Sequence, residues 1–155
     1  VLGDQALWWV MNDRGNRHVT TDSRPLGLEV HGTVFAFDGA GAIANSTFYR
    51  YRFRYAGVET SSATYIGVFV DPDLGDSSDD SVGADTTLDM GFAYNSREQD
   101  SDYGSAPPAI GLALLRGPLG PAGDPLKMSA LMVPVDDGGP SGWPRTANHW
   151  GNYMQ

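Results

Sequence analysis

The densest set of chemically capable side chains lies in the stretch DPDLGDSSDDSVGADTTLD, Asp71 to Asp89, with seven aspartates in nineteen residues and no basic residue. Carboxylates crowded in this way repel one another unless something positive neutralises them. A flexible, oxygen-rich segment suits Ca²⁺, which takes roughly six to eight hard oxygen ligands, whereas Mg²⁺ keeps its waters and rarely needs so large a cage. Asp71 and Asp73 stand at i and i+2 directly after an apolar run, a spacing that turns alternate side chains toward one point. Gly75 allows a sharp turn that would bring backbone carbonyls into the shell. Asp76, Asp79 and Asp80 then close it, and Asp85 or Asp89 reaches in from the far side. The expected metal site is therefore Asp71, Asp73, Asp76, Asp79, Asp80 and Asp85, with Ca²⁺ as the ion. It is not an EF-hand: the twelfth position of a loop starting at Asp71 is Val82, where a bidentate Glu is required. The competing reading is a solvated acidic turn whose aspartates cap their own backbone amides. Arginine pairing does not remove the problem, because Arg50, Arg52 and Arg54 are too few. Exposed ion pairs also contribute only about 0–1 kcal/mol each.

Other chemistry is thinner. His18, His31 and His149 are the only histidines, and none is spaced with another as a metal pair. There is no G-x-S-x-G elbow, no P-loop and no dinucleotide fingerprint. No catalytic residue is assigned. Glycoside hydrolysis needs two carboxylates across a cleft, and Glu29 and Glu59, close to strand candidates, are the acids best placed for it. Trp8, Trp9, Trp143 and Trp150, with seven tyrosines, offer stacking platforms for sugars. Adjacent Trp8 and Trp9 must point to opposite faces of a strand, so one belongs to a core and the other lies exposed or under a loop.

The elements that position these residues are strands. Period-two alternation dominates: Ala6–Asp13, Leu26–Asp38, Ser46–Gly57, Thr64–Asp71 and Leu88–Asn95, with weaker strand candidates at Ala109–Gly117 and Lys127–Val135. In the third, Tyr49, Tyr51, Phe53 and Tyr55 face one way, read as core, and Arg50, Arg52 and Arg54 face the other. A short helix is expected in RTANHWGNYMQ at the C-terminal end. The connectors are rich in Gly, Asp, Asn, Ser and Pro, as turns require. The tracts Gly117–Pro125 and Asp136–Pro144 read as long loops.

Composition agrees with this pattern. The 155 residues are 41% hydrophobic and only 19% charged, with 20 Gly and 10 Pro, a strand-friendly and helix-poor balance. Sixteen of the 19 acidic residues are aspartate, and Lys127 is the single lysine. The net charge of −9 disfavours a nucleic-acid backbone or an anionic membrane as partner. The absence of cysteine excludes disulfides and thiolate chemistry. No apolar run approaches the ~18 residues needed to insert across a bilayer.

Five segments in order, GDQALWWVMND, PLGLEV, DPDLGDSSDDSVGADTTLDMGFAYN, YGSAPPAIG and ANHWGNYMQ, make the chain similar to a β-rich region of large secreted surface proteins of Bacteroidetes and related bacteria. Such proteins often end in a type IX sorting domain. The resemblance covers nearly the whole chain and rests most on the acidic block followed by GFAYN and YGSAPPAIG. It implies an extracellular or cell-surface location within a longer polypeptide, and no particular chemistry.

The expectation is an all-β protein, an antiparallel β-sandwich of jelly-roll or Ig-like type with long Gly/Asp/Pro-rich loops. Residues 1–155 are read as a single domain and a fragment of a longer secreted protein. The expected function is a non-catalytic, calcium-stabilised structural or adhesive module. The alternatives are a carbohydrate-binding module using exposed Trp and Tyr, or a polysaccharide-active enzyme domain. The partners would be extracellular polysaccharide or neighbouring domains and chains, with no nucleic acid and no membrane insertion.

Overall fold

A computed structural model describes residues 2–15, 17–19, 22–62, 64–134 and 146–154. Regular structure is almost all β. Strands β1 (Gln5–Asn12), β2 (Leu28–Ala36) and β3 (Thr47–Tyr55) form one antiparallel sheet in that order. Strands β4 (Asp80–Asp85), β5 (Met90–Asn95) and β6 (Ala109–Ala113) form a second. One helix, α1 (Ala147–Met154), and 3₁₀ turns at Gly41–Ile43 and Ser77–Asp79 complete the described elements. The two sheets belong to two compact units, divided after Thr64. No helix among the described residues is long and apolar enough to cross a membrane.

In the first sheet the register follows the alternation. Leu7 pairs with Val34 and Val34 with Tyr49; Trp9 pairs with Gly32 and Gly32 with Tyr51; Met11 pairs with Val30 and Val30 with Phe53. These rows share one face because side chains alternate along each strand and cross-strand partners point the same way. The arginine row lies on the opposite face. Trp9 rests on Gly32, where an added β-carbon would collide with the indole, and meets Tyr51 edge-on at 6.1 Å. Trp8, one residue earlier, is 65% exposed. The divergence expected of the two tryptophans is what the sheet shows.

Reading the tyrosine face as core needs correction. Tyr49, Tyr51, Phe53 and Tyr55 are all exposed, and the buried hydrophobic residues among those described are Val30, Leu74 and Ala93. Turn chemistry also holds the first sheet. The Asp13 carboxylate accepts backbone N–H bonds from Leu26 (2.5 Å), Gly27 (3.0 Å) and Leu28 (3.0 Å), closing the long β1–β2 connection. Partial desolvation acts upward on this carboxyl; the N–H bonds from Leu26, Leu28 and Gly27 outweigh it and hold it below its ordinary range.

The rest of the chain departs from expectation in four places. Residues 80–85, read as part of an acidic loop, form β4, joined to β5 by a tight turn over residues 86–89. Thr64–Asp71 is not a strand in its described part, residues 64–71, and residues 127–134 likewise carry no strand. Val135, Trp143, Arg145, Gln155 and the tract Asp136–Pro144 lie outside the described residues. Strand β6 is shorter than expected, ending at Ala113. One face of the second sheet buries Gly91, Ala93 and Asn95 at alternate positions of β5. Gly91 is approached by Leu131, whose Cδ1 would lie 2.9 Å from an added β-carbon.

Because the Trp9 indole occupies the space a side chain at position 32 would need, Gly32→Val should destabilise the protein by about 1–3 kcal/mol, the usual cost of overpacking. The urea unfolding midpoint of this variant against that of the parent checks the expectation.

Candidate functional site

The acidic stretch folds into a turn, a strand and a second turn, and each aspartate takes a defined place. Residues 74–76 run between two carboxylates: Leu74 N–H donates to Asp80 Oδ2 (2.9 Å), and Asp76 N–H donates to Asp100 Oδ2 (3.0 Å). Gly75, between them, has φ +75°, a conformation glycine adopts without strain. A β-carbon there would strike the Asp100 carboxylate. The sharp turn expected at Gly75 is present, and the Asp100 carboxylate sits against it.

Asp76 caps the 3₁₀ turn at Ser77–Asp79, accepting from Ser78 Oγ (2.7 Å) and Ser78 N–H (3.1 Å). Asp100 also accepts N–H bonds from Asp102 (2.8 Å) and Tyr103 (2.7 Å), tightening the turn to Gly104. Asp85 accepts from Thr87 Oγ1 (2.6 Å), Thr87 N–H (2.8 Å) and Leu88 N–H (3.2 Å), organising the β4–β5 hairpin. Asp89, at φ +48° in the same turn, pairs with Lys127 at 3.6 Å. Much of the acidic stretch is thus engaged in local capping, as the competing sequence reading has it.

Two aspartates differ in keeping one carboxylate oxygen buried. Asp79 uses Oδ2 for Arg97 at 3.5 Å, and its side chain is 8% exposed. Asp80 uses Oδ2 for Leu74. The Oδ1 atoms of both are buried and have no hydrogen-bond partner among the described residues, and the same holds for Oδ1 and Nδ2 of Asn95. Asn95, itself 8% exposed, is the cross-strand partner of Asp80, so the two side chains leave the sheet on the same side. Ser96 N–H donates to the Asp79 carbonyl at 2.9 Å and ties the Asp79 backbone to the end of β5. Three oxygens from adjoining residues are therefore withheld from water without donors. An unsatisfied buried polar group costs about 1–3 kcal/mol, more when charged.

The six residues expected to form one cage do not all converge. Asp85 and Asp80 stand at opposite ends of β4, about 17 Å apart at ~3.3 Å per residue, and cannot ligate one ion. Asp71 and Asp73 are exposed, and their carboxylates accept no hydrogen bond and make no ion pair among the described residues. Among the described residues, no three His, Cys, Asp or Glu side chains are gathered closely enough to hold a metal. The cluster at the base of β4 counts two carboxylates and an amide instead.

The chain matches no family model, no curated protein and no solved structure.

Sequence reasoning missed Asn95 and Asp100. The D-x-D-x-G pattern of Asp100, Asp102 and Gly104 was a readable turn signal. Asn95 carried no local signal; only the strand register places it against Asp80. Of the two acids considered for glycoside hydrolysis, Glu29 is bonded to His31 at 2.7 Å, and that bond, together with the nearby Arg54, keeps its carboxyl below the ordinary range. At Glu59 the backbone carbonyl accepts the Tyr55 hydroxyl.

Three turn carboxyls are held below their ordinary pKa: Asp76 by Ser78, Asp85 by Thr87, and Asp100 by the N–H groups of Asp76 and Tyr103. A depressed folded-state pKa contributes stability above the unfolded value of about 3.9, and that stability is lost as pH falls through the folded value. The urea midpoint should therefore hold between about pH 7 and 5 and fall below about pH 4. In Asp100→Ala the midpoint should be lower throughout and its acid limb shallower.

Proposed function

We propose that the chain is a non-catalytic, cation-stabilised β-sandwich module of jelly-roll or Ig-like type, acting as a structural or adhesive part of a secreted or cell-surface bacterial protein. The observation that carries this reading is the trio of buried, donor-less oxygens on Asp79, Asp80 and Asn95. Two carboxylates and an amide carbonyl form a hard-oxygen set suited to Ca²⁺, with backbone carbonyls and waters able to complete the shell. Asp71 and Asp73, whose carboxylates have no partner among the described residues, are the nearest acids in sequence not committed to a turn. Asp76 and Asp85 are committed to capping and contribute through the turns they hold.

The ion would act structurally. It would remove the repulsion between Asp79 and Asp80, supply both with a partner, and fix the base of β4 against the end of β5. A module with so little buried apolar surface gains proportionately more from such a clamp. The secreted setting rests on the sequence resemblance, and extracellular calcium suits weak sites of this kind.

Thermal melting with calcium and with chelator tests the reading. At 100-fold excess over Kd a native-state ligand adds about 2.7 kcal/mol, or roughly 5–10 °C for a chain of this size. Asp80→Asn should abolish the calcium-dependent rise, whereas Asp85→Asn should retain it despite a lower starting Tm. An identical Tm with calcium and with chelator would count against the proposal.

A further inference from the structure

The arginine-bearing face of the first sheet is independent of the acidic cluster and of any cation there. Strand register sets Trp8 beside Thr33 and Thr33 beside Arg50, and in the next row sets His31 beside Arg52. These five residues line a groove of about 220 Å³. The Trp8 indole is 65% exposed and lies 6.0 Å from the His31 ring at a 57° tilt. His31 is held by Glu29 at 2.7 Å, and Arg54 reaches the same carboxylate at 4.0 Å. That leaves Arg50 and Arg52, which make no hydrogen bond or ion pair among the described residues. They stand at i and i+2 of β3, about 7 Å apart along the strand.

Two guanidiniums without acceptors, side by side on a chain of net charge −9, form a local site of opposite sign. A guanidinium presents a planar fork that matches a carboxylate. An exposed indole beside it presents a flat apolar surface that packs on the ring C–H face of a sugar. One ligand uses both halves of the groove: a pyranose carrying a carboxylate. A nucleic-acid backbone fits less well, because its dense phosphates meet the repulsion of the whole chain. An acidic peptide offers the carboxylate but no rigid ring face for Trp8.

We propose that the groove of Trp8, His31, Thr33, Arg50 and Arg52 binds a uronic-acid unit of an acidic polysaccharide, with Arg50 and Arg52 donating to its carboxylate and the Trp8 indole covering the sugar ring. The site is open to solvent, so its affinity for one unit is weak.

The test is titration of the protein with trigalacturonate, followed by isothermal calorimetry and by tryptophan emission, in calcium-free and in calcium-saturated buffer. Binding is expected in both buffers, weakening with added salt. It should drop about tenfold or more with the methyl-esterified trisaccharide, which keeps the rings and removes the charge. Arg50→Gln with Arg52→Gln, and Trp8→Ala, should each weaken it to a similar degree. All of these positions are exposed on the sheet surface, and circular dichroism confirms that each variant is folded. Arg52→Lys should restore part of the affinity lost in Arg52→Gln. The proposal is overturned by absence of binding at millimolar trigalacturonate or by equal affinity for the methyl ester. Equal or tighter binding of a glutamate-rich peptide or of single-stranded DNA overturns it too. So does a response that appears only with calcium and ignores the arginine substitutions, since that would report an ion bridge elsewhere. A missing thermal response to calcium leaves this expectation intact, so the two readings fail separately.

Discussion

Carboxylates receiving backbone N–H groups are the interaction on which the rest of this structure depends. A chain whose buried hydrophobic residues, among those described, are Val30, Leu74 and Ala93 does not fix its connections by apolar packing alone. Asp13 closes the β1–β2 link, Asp85 organises the β4–β5 hairpin, and Asp80 and Asp100 grip the segment 74–76 from two sides. Each bond pairs a charged acceptor with a backbone donor, the stronger class of hydrogen bond. The aspartate excess is therefore architectural before it is anything else. Glutamate, with one more methylene, would not reach its own backbone amides two residues on in the same tight turn.

This constraint separates the acidic residues into those that are consumed and those that are not. Asp100 has both oxygens engaged by turns, and Asp76 and Asp85 each cap a turn through Oδ1 on the exposed surface. Asp79 and Asp80 each have one oxygen engaged and one buried without a donor, beside Asn95 in the same state. The first sheet shows the mirror arrangement, with Glu29 gathering His31 and Arg54 while Arg50 and Arg52 have no acceptor among the described residues. Among the described residues, carboxylates without donors and guanidiniums without acceptors thus lie in different sheets.

Much of the strand pattern was legible from alternation. Strands β1, β2, β3 and β5 lie where period two places them, and the faces of Trp8 and Trp9 and of the tyrosine and arginine rows follow from it. The short C-terminal helix and the turn at Gly75 were legible too. Strand β4 was not, because DSVGAD combines aspartate, glycine and alanine, all poor strand formers; its partner β5 and the Asp85 turn impose it. Residues 64–71 are the reverse case. TYIGVFVD has strong strand propensity, yet a strand exists only where a neighbouring edge accepts its hydrogen bonds, and the chain pattern cannot supply that edge. The buried state of the tyrosine face was misjudged for the same reason, since alternation tells which residues share a side but not what covers it. Asn95 became relevant only through a partner fifteen positions away.

The seat of Trp9 on Gly32 has a consequence for how β1 finds its place. A strand can in principle slide along its neighbour by two residues and keep the same side chains on the same face. Sliding β1 that way would bring the Trp9 indole over Val30 or Val34, whose branched side chains fill the space that Gly32 leaves vacant. The glycine therefore works as a notch that only one tooth fits, and the tooth is the indole. Trp8, attached to that tooth by one peptide bond, is carried with it to its fixed position beside Thr33. The alignment of the exposed face is set from the reverse side of the sheet.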